Sequence, residues 1–248
     1  MSRFTRPLSD GDCLDIAGAL VRLKVHHRAR RVSLRLDRMR REVIATAPSP
    51  RGLAEAAAFA RDRADWIVQR LAELPSPTPL VPGTTLSLFG TPCVLALADH
   101  PMRLIADPGC GGLKIAGRGV GEIYARAVIR VIKREALRVF TEMTQAHCRE
   151  LQVRLPTITL MDAKGRWGSC RSSAPGRPAA IRYSWRLALA PYCIADYVAA
   201  HECAHLLELN HGPQFWNHVR RLVGEVSPHR DWLKAQGAQL HAFGSPGA

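Results

Sequence analysis

His201-Glu202-Cys203-Ala204-His205 reads H-E-x-x-H, and the window around it, residues 194–207, contains neither proline nor glycine. Such a window predicts a helix. Four residues advance a helix by about 400°, so His201 and His205 share one face about a turn apart. Two imidazoles so placed can share a metal ion at about 2.0–2.1 Å each. Glu202 follows the first histidine and can reach a water held by that metal. Two ligands beside a base for water form the arrangement a zinc peptidase needs.

A catalytic zinc takes three protein ligands and keeps one position for water. The next histidine is His211, in Leu209-Asn210-His211-Gly212-Pro213. A helix running straight on would carry residue 211 away from the metal. Asn210 and Gly212 both tolerate positive φ, so the chain can turn back there. Pro213 suits the first turn of a new helix over 214–223. His211 then lies on a reversal beside the two-histidine face. Glu208 is the rival ligand, on the same face one turn beyond His205, but a straight helix sets it far from an ion at His201. His218 falls inside the following helix and reads as packed or exposed.

Further motifs flank this segment: Arg166-Trp167-Gly168-Ser169-Cys170, Trp185-Arg186-Leu187, Tyr197-Val198, and Asn210-His211 with Phe215-Trp216. In this order and spacing they resemble the YgjP-like metallopeptidase-fold family over roughly residues 20–238. The chain is also similar to the SprT-like proteases, whose H-G-x-x-F matches His211-Gly212-Pro213-Gln214-Phe215. The resemblance implies a zincin-like core, with His201, His205 and His211 as zinc ligands and Glu202 as the catalytic base. One position departs from the family's pattern: Ser184 stands where asparagine commonly precedes W-R-L. Arg166 and Tyr183 are candidate oxyanion donors. Trp167, Trp185 and Trp216 read as packing around the site.

At 248 residues, 47% hydrophobic and 23% charged, the chain can bury one good core or two small ones. No apolar run approaches the roughly 18–20 residues of a membrane-spanning helix. Phe4 and Arg6-Pro7 are followed by Asp10, Asp12 and Asp15, which argues against a secretory signal. Seven cysteines, with no C-x-x-C pair, suit reduced thiols in a cytoplasm. Cys170 and Cys203, near the proposed site, read as small packing residues. The formal charge is +14, and residues 22–41 hold nine Lys/Arg against one acid, Asp37. Such a strip attracts polyanions, nucleic acid among them, or is a solvated face. It contains no aromatic residue on which a base could stack.

Period-two alternation at Val21, Leu23, Val25, then Val32, Leu34, Leu36, then 43–47 suggests a three-stranded meander. Residues 52–74 read as one or two helices, and Pro75-Ser76-Pro77-Thr78-Pro79 as a stiff connector. Short strands are expected near 85–89, 92–98, 103–106 and 112–115. From Val120 a three- and four-residue apolar step predicts a long amphipathic helix. Strands are expected at 155–161 and within 179–189, with a turn at 167–170 between them. No internal repeat is visible in the sequence.

The expected fold is α+β: an N-terminal β-rich region with helices over 1–115, then a zincin-like catalytic domain over 118–240. The expected activity is cytoplasmic, Zn²⁺-dependent peptide hydrolysis on a protein or peptide substrate. Two alternatives stay open: a nucleic-acid-associated protease whose basic strip is the contact, and a metal-binding interaction module without turnover. No membrane partner is expected.

Overall fold

The structure is a computed structural model that describes residues 6–38, 40–107, 109, 111–163 and 165–244. The chain forms two compact units, Met1–Ser76 and Pro77–Ala248. The division falls inside the proline-rich connector, not near 115–118 as expected. The reason is packing. Leu86, Leu88, Cys93, Leu95 and Ile115 belong to the same apolar cluster as the long helix that follows them, so residues 77–117 go with the second unit.

The first unit contains β1 (Cys13–Ile16), β2 (Ala19–Val25), β3 (Ser33–Asp37) and β4 (Glu42–Ala47), in the order β1-β2-β4-β3. β2 and β4 are parallel, and β3 returns on the far side of β4. The expected meander is therefore corrected: a meander would pair β2 with β3. Val21, Leu23, Val43 and Ala45 alternate onto one face and are fully buried. They pack with Leu53, Ala56, Ala57 and Ala60 of α1 (Leu53–Asp62) and with Ile67 of α2 (Ala64–Ala72). Three of the nine strip cations are tied to this scaffold, Arg40 only by a longer, exposed contact to Glu42 at 3.8 Å. The Arg22 guanidinium makes a two-pronged bond to buried Glu42, with Nη2 2.8 Å from Oε2. Arg41 Nη1 donates to the Pro75 carbonyl at 2.7 Å. Arg28, Arg30, Arg31 and Arg35 are exposed.

The second unit opens with β5 (Thr85–Leu88), β6 (Thr91–Leu97), β7 (Arg103–Asp107) and β8 (Gly112–Gly117), in the order β5-β6-β8-β7. The 30-residue α3 (Gly121–Glu150) follows and buries the stripe Tyr124, Val128, Val131, Ile132, Phe140 and Met143. A three-stranded sheet comes next: β9 (Thr157–Met161), β10 (Gly168–Arg171) and β11 (Ala180–Ser184), ordered β10-β11-β9. Residues 168–170, expected as a turn, form the edge strand β10, because Gly168 to Arg171 pair antiparallel with Tyr183 to Ala180. Three helices close the unit: α4 (Tyr192–Ala204), α5 (Pro213–Val223) and α6 (Ser227–Ala242). The class is α+β, with the site-bearing α4 packed against α3 and β10.

Candidate active site

α4 is buried on nearly every side: Ile194, Ala195, Tyr197, Val198, Ala199, Ala200, Cys203 and Ala204 are all in the core. Its helical hydrogen bonding ends at Ala204, with His205 as the cap, three residues before the expected end. The Leu206 and Leu207 amides turn back onto the Cys203 and Ala204 carbonyls at 3.0 and 3.1 Å. The reversal does not use left-handed residues. Gly212 has φ −75°, and Asn210 is not among the described residues with positive φ. The early tightening turn redirects the chain instead, and Pro213 then starts α5.

This turn brings His211 back to the helix face. The Nε2 atoms of His201 and His211 lie 3.2 Å apart, and the His205 and His211 rings are 4.8 Å apart by centroid. One nitrogen from each of the three imidazoles falls within 4.8 Å of the others. Phe215, fully buried, sits beneath all three rings at 4.5–4.9 Å. Glu208 enters differently from the rival role considered for it. Its backbone carbonyl accepts from His205 Nδ1–H at 2.9 Å, which leaves His205 Nε2 free as a lone-pair donor. Neither the Glu208 carboxylate nor His218 belongs to the three-residue cluster.

Glu202 is 5% exposed, and burial pushes its carboxyl up to about 7, against the opposing pull of the Arg166 charge. Gly168 at the start of β10 lies against this side chain. A Cβ there would sit 2.6 Å from the Glu202 Cγ and Cδ atoms, so only glycine leaves the carboxylate its place. Burial, then the neighbouring His205 and His211, depress the His201 imidazolium to about 4. His205 is lowered too, chiefly by burial. Both shifts favour the neutral imidazole, the form in which histidine ligates a metal.

A sequence model described as YgjP-like, metallopeptidase domain, matches residues 30–236. The chain belongs to the YgjP-like family. No curated protein and no solved structure gives a match. Membership makes this a metallopeptidase-domain protein, which implies a metal and a protein or peptide substrate. The residues of this YgjP-like chain suit a metal on structural grounds. The Nε2 atoms of His201 and His211 face each other at 3.2 Å with a third imidazole nitrogen nearby, a donor set that one cation can share.

The same structure sorts the remaining candidates. Tyr183 is fully buried, stacked on Phe140 at 4.4 Å, and its hydroxyl is 2.9 Å from Thr144 Oγ1, so it does not face the site as a donor. Arg166 is exposed, and its charge reaches Glu202. Burial raises the Cys170 thiol to about 12, and Cys203 is raised further by its bond to Cys148 and by burial. Both stay protonated and outside the histidine cluster. Ser184 is fully buried, with no hydrogen-bond partner for its hydroxyl among the described residues.

Helix α6 supplies groups that the sequence reading passed over. The His229 ring stacks on Tyr197 at 5.4 Å, and the Arg230 guanidinium lies 5.5 Å over Trp216. The Arg230 charge also contributes to lowering His201. Pro228 in the first turn, with Trp232 and Leu233 on one face and Leu240 two turns on, was the available signal. Gly237 of α6 abuts Trp167, where a Cβ would come within 2.9 Å of the indole.

Proposed function

We propose that this protein is a zinc peptidase of the cytoplasm, with His201, His205 and His211 as ligands and Glu202 as general base. The observation that carries it is the convergence of three imidazoles beside a buried carboxyl raised to about 7. A bound zinc ion would supply a Lewis acid that acidifies water and polarises the scissile carbonyl. Glu202 accepts the proton of the attacking water at a carboxylate oxygen and returns it to the leaving amine. Gly168 and the helix wall hold that oxygen in place. The His205 Nδ1–H bond to the Glu208 carbonyl fixes one ligand's tautomer. β10 is an edge strand beside α4, suited to take an extended peptide as a further strand. Arg166 and Arg230 are the cations close enough in effect to steady developing negative charge. The free thiols among the described residues, including hydrogen-bonded Cys148 and Cys203, suit a reducing compartment.

The test is Glu202→Gln. The amide keeps the shape but cannot accept a proton, so the variant should keep its zinc and its fold while cleavage of an unfolded protein falls by about 10³-fold or more. Undiminished cleavage by the variant would exclude Glu202 as the base.

A further inference from the structure

The first unit holds a hollow of about 550 Å³ that contributes no residue to the histidine site. Arg31, Ser33 and Leu34, at the start of β3, form one wall. Phe59, Arg63 and Trp66, from α1 and α2, form the other. β3 is the edge of its sheet, so its outer side pairs with no other strand among the described residues. Trp66 is 37% exposed, so part of its indole is open to solvent, and Phe59 is half-buried beside it. The Arg63 guanidinium lies 5.8 Å over the Phe59 ring. Arg31 and Arg63 are exposed and make no ion pair with the described residues.

The basic strip read from sequence lacked aromatic residues. The fold supplies them from α1 and α2, with Phe59 lying 18 positions beyond the end of the strip at Arg41. Uncompensated guanidinium groups beside accessible ring faces have a specific chemical complement: a chain of phosphates carrying unpaired bases. Arg28, Arg30 and Arg35, also exposed, extend the positive field along the same strand and its approach. Arg31 and Phe59 also line an adjoining hollow of about 360 Å³ together with Glu55 and Asp62, so phosphates held by Arg31 must run on its Arg63 side, away from those two carboxylates.

We propose that this groove binds single-stranded nucleic acid, with bases stacked on Trp66 and Phe59 and phosphates on Arg31 and Arg63. A duplex hides its base faces and gains nothing from the two rings. An acidic peptide would engage the arginines yet leave the rings without a planar partner.

The test uses the full-length, zinc-loaded protein and a labelled oligothymidylate of about 15 nucleotides, followed by anisotropy between about 50 and 200 mM salt. Arg31→Ser with Arg63→Ser should weaken binding roughly tenfold or more. It should flatten the log-affinity against log-salt slope by about 1.4, two phosphate contacts for a single strand. Trp66→Ala should weaken binding roughly tenfold with the salt slope unchanged, and Trp66→Phe should restore most of it. Arg149→Ser with Arg154→Ser removes the same charge from exposed positions of the second unit and should change affinity less than about twofold. Circular dichroism and zinc content should match wild type in every variant. The proposal is overturned if the wild type does not bind at the lowest salt, or if the Arg149/Arg154 control loses as much as the groove pair. It is also overturned if Trp66→Ala binds normally, if a duplex of equal length binds as tightly, or if polyglutamate competes equally well, which would make the groove a site for acidic peptides.

Discussion

The two four-stranded sheets, β1–β4 and β5–β8, share one blueprint. Strand order, pairing senses and strand lengths agree throughout: 4, 7, 5 and 6 residues in each. The irregular backbone positions agree as well. Ala17 and Gly18 have φ +53° and +80°; Phe89 and Gly90 have +51° and +90°. Both pairs meet the positive-φ requirement of a two-residue type I′ hairpin. Gly11 and Gly83 share φ +88°, and their amides donate to the Leu23 and Leu95 carbonyls. Arg41 and Gly111 take φ +51° and +65° just before the last strand. What differs is the helix each sheet carries. The first leads into short α1 and α2 beside a cationic edge; the second leads into α3, on which the histidine helix is packed. One sheet plan thus occurs twice, and the helices that follow it set the two units apart.

The sharpest way to break this division is at the metal. His211→Ala should lower zinc affinity by about two orders of magnitude or more, because two ligands seldom retain zinc. Replacing Arg28, Arg30, Arg31 and Arg35 with serine should leave zinc at one per chain, since exposed charges contribute little to stability. Elemental analysis of the purified variants reads both. Full occupancy in the His211 variant would return Glu208 to the ligand set. Zinc loss in the arginine variant would break the separation between the units.

Much of the site was legible in sequence, because its spacing is short-range. H-E-x-x-H puts two histidines on one helix face by geometry alone, and the expected reversal does bring His211 beside them, though by a tightening turn and not by the positive φ values expected at Asn210 and Gly212. Contacts built from distant segments were not legible. Gly168 against Glu202, and His229 and Arg230 of α6 near Tyr197 and Trp216, depend on tertiary packing that no local period encodes. The sheets show the same limit. Alternation in 21–47 marks strands, but nothing in it says that β4 inserts between β2 and β3. The sheet repeat escapes notice because, apart from a few matches such as Gly11 with Gly83 and Gly18 with Gly90, its equivalent positions, Ala17 with Phe89 and Arg41 with Gly111 among them, share backbone conformation and not side-chain type.

A smaller effect is expected at Gly168. Alanine there must displace the Glu202 carboxylate or lift β10, so kcat/KM on an unfolded protein should fall about 10²-fold while zinc content holds. A variant with wild-type turnover would show that Glu202 need not sit where the structure puts it. Acidity gives a related measure on the metal-free protein. The Glu202 carboxyl is raised from 4.5 to about 7, so its folded form holds a proton that the unfolded chain has released. That contribution is full below pH 4.5 and is lost as pH rises to about 7. His201, lowered from 6.5 to about 4, acts the other way: its contribution is full above 6.5 and is lost as pH falls towards 4. Metal-free Glu202→Gln should therefore match wild type near pH 4.5 and exceed it above pH 7, by at most about 3 kcal/mol. Chemical denaturation at the two pH values distinguishes this from a pH-independent gain.

The mildest prediction tests the shared blueprint itself. Gly18→Ala and Gly90→Ala place a Cβ at φ +80° and +90°, at equivalent corners of the two sheets. Space is not the obstacle: nothing lies within 4 Å of the new atom at Gly18, and the nearest atom at Gly90 is the Pro191 Cα at 3.7 Å, ordinary contact. The cost is then the left-handed backbone, about 1–2 kcal/mol at each site. If both hairpins are set by the same turn, the two variants should be destabilised alike in urea. Neither new methyl meets more than ordinary contact, the Pro191-Tyr192 backbone beside Gly90 included, so zinc content should hold in both variants. Unequal costs would mean that the two corners, despite matching φ values, are held by different forces.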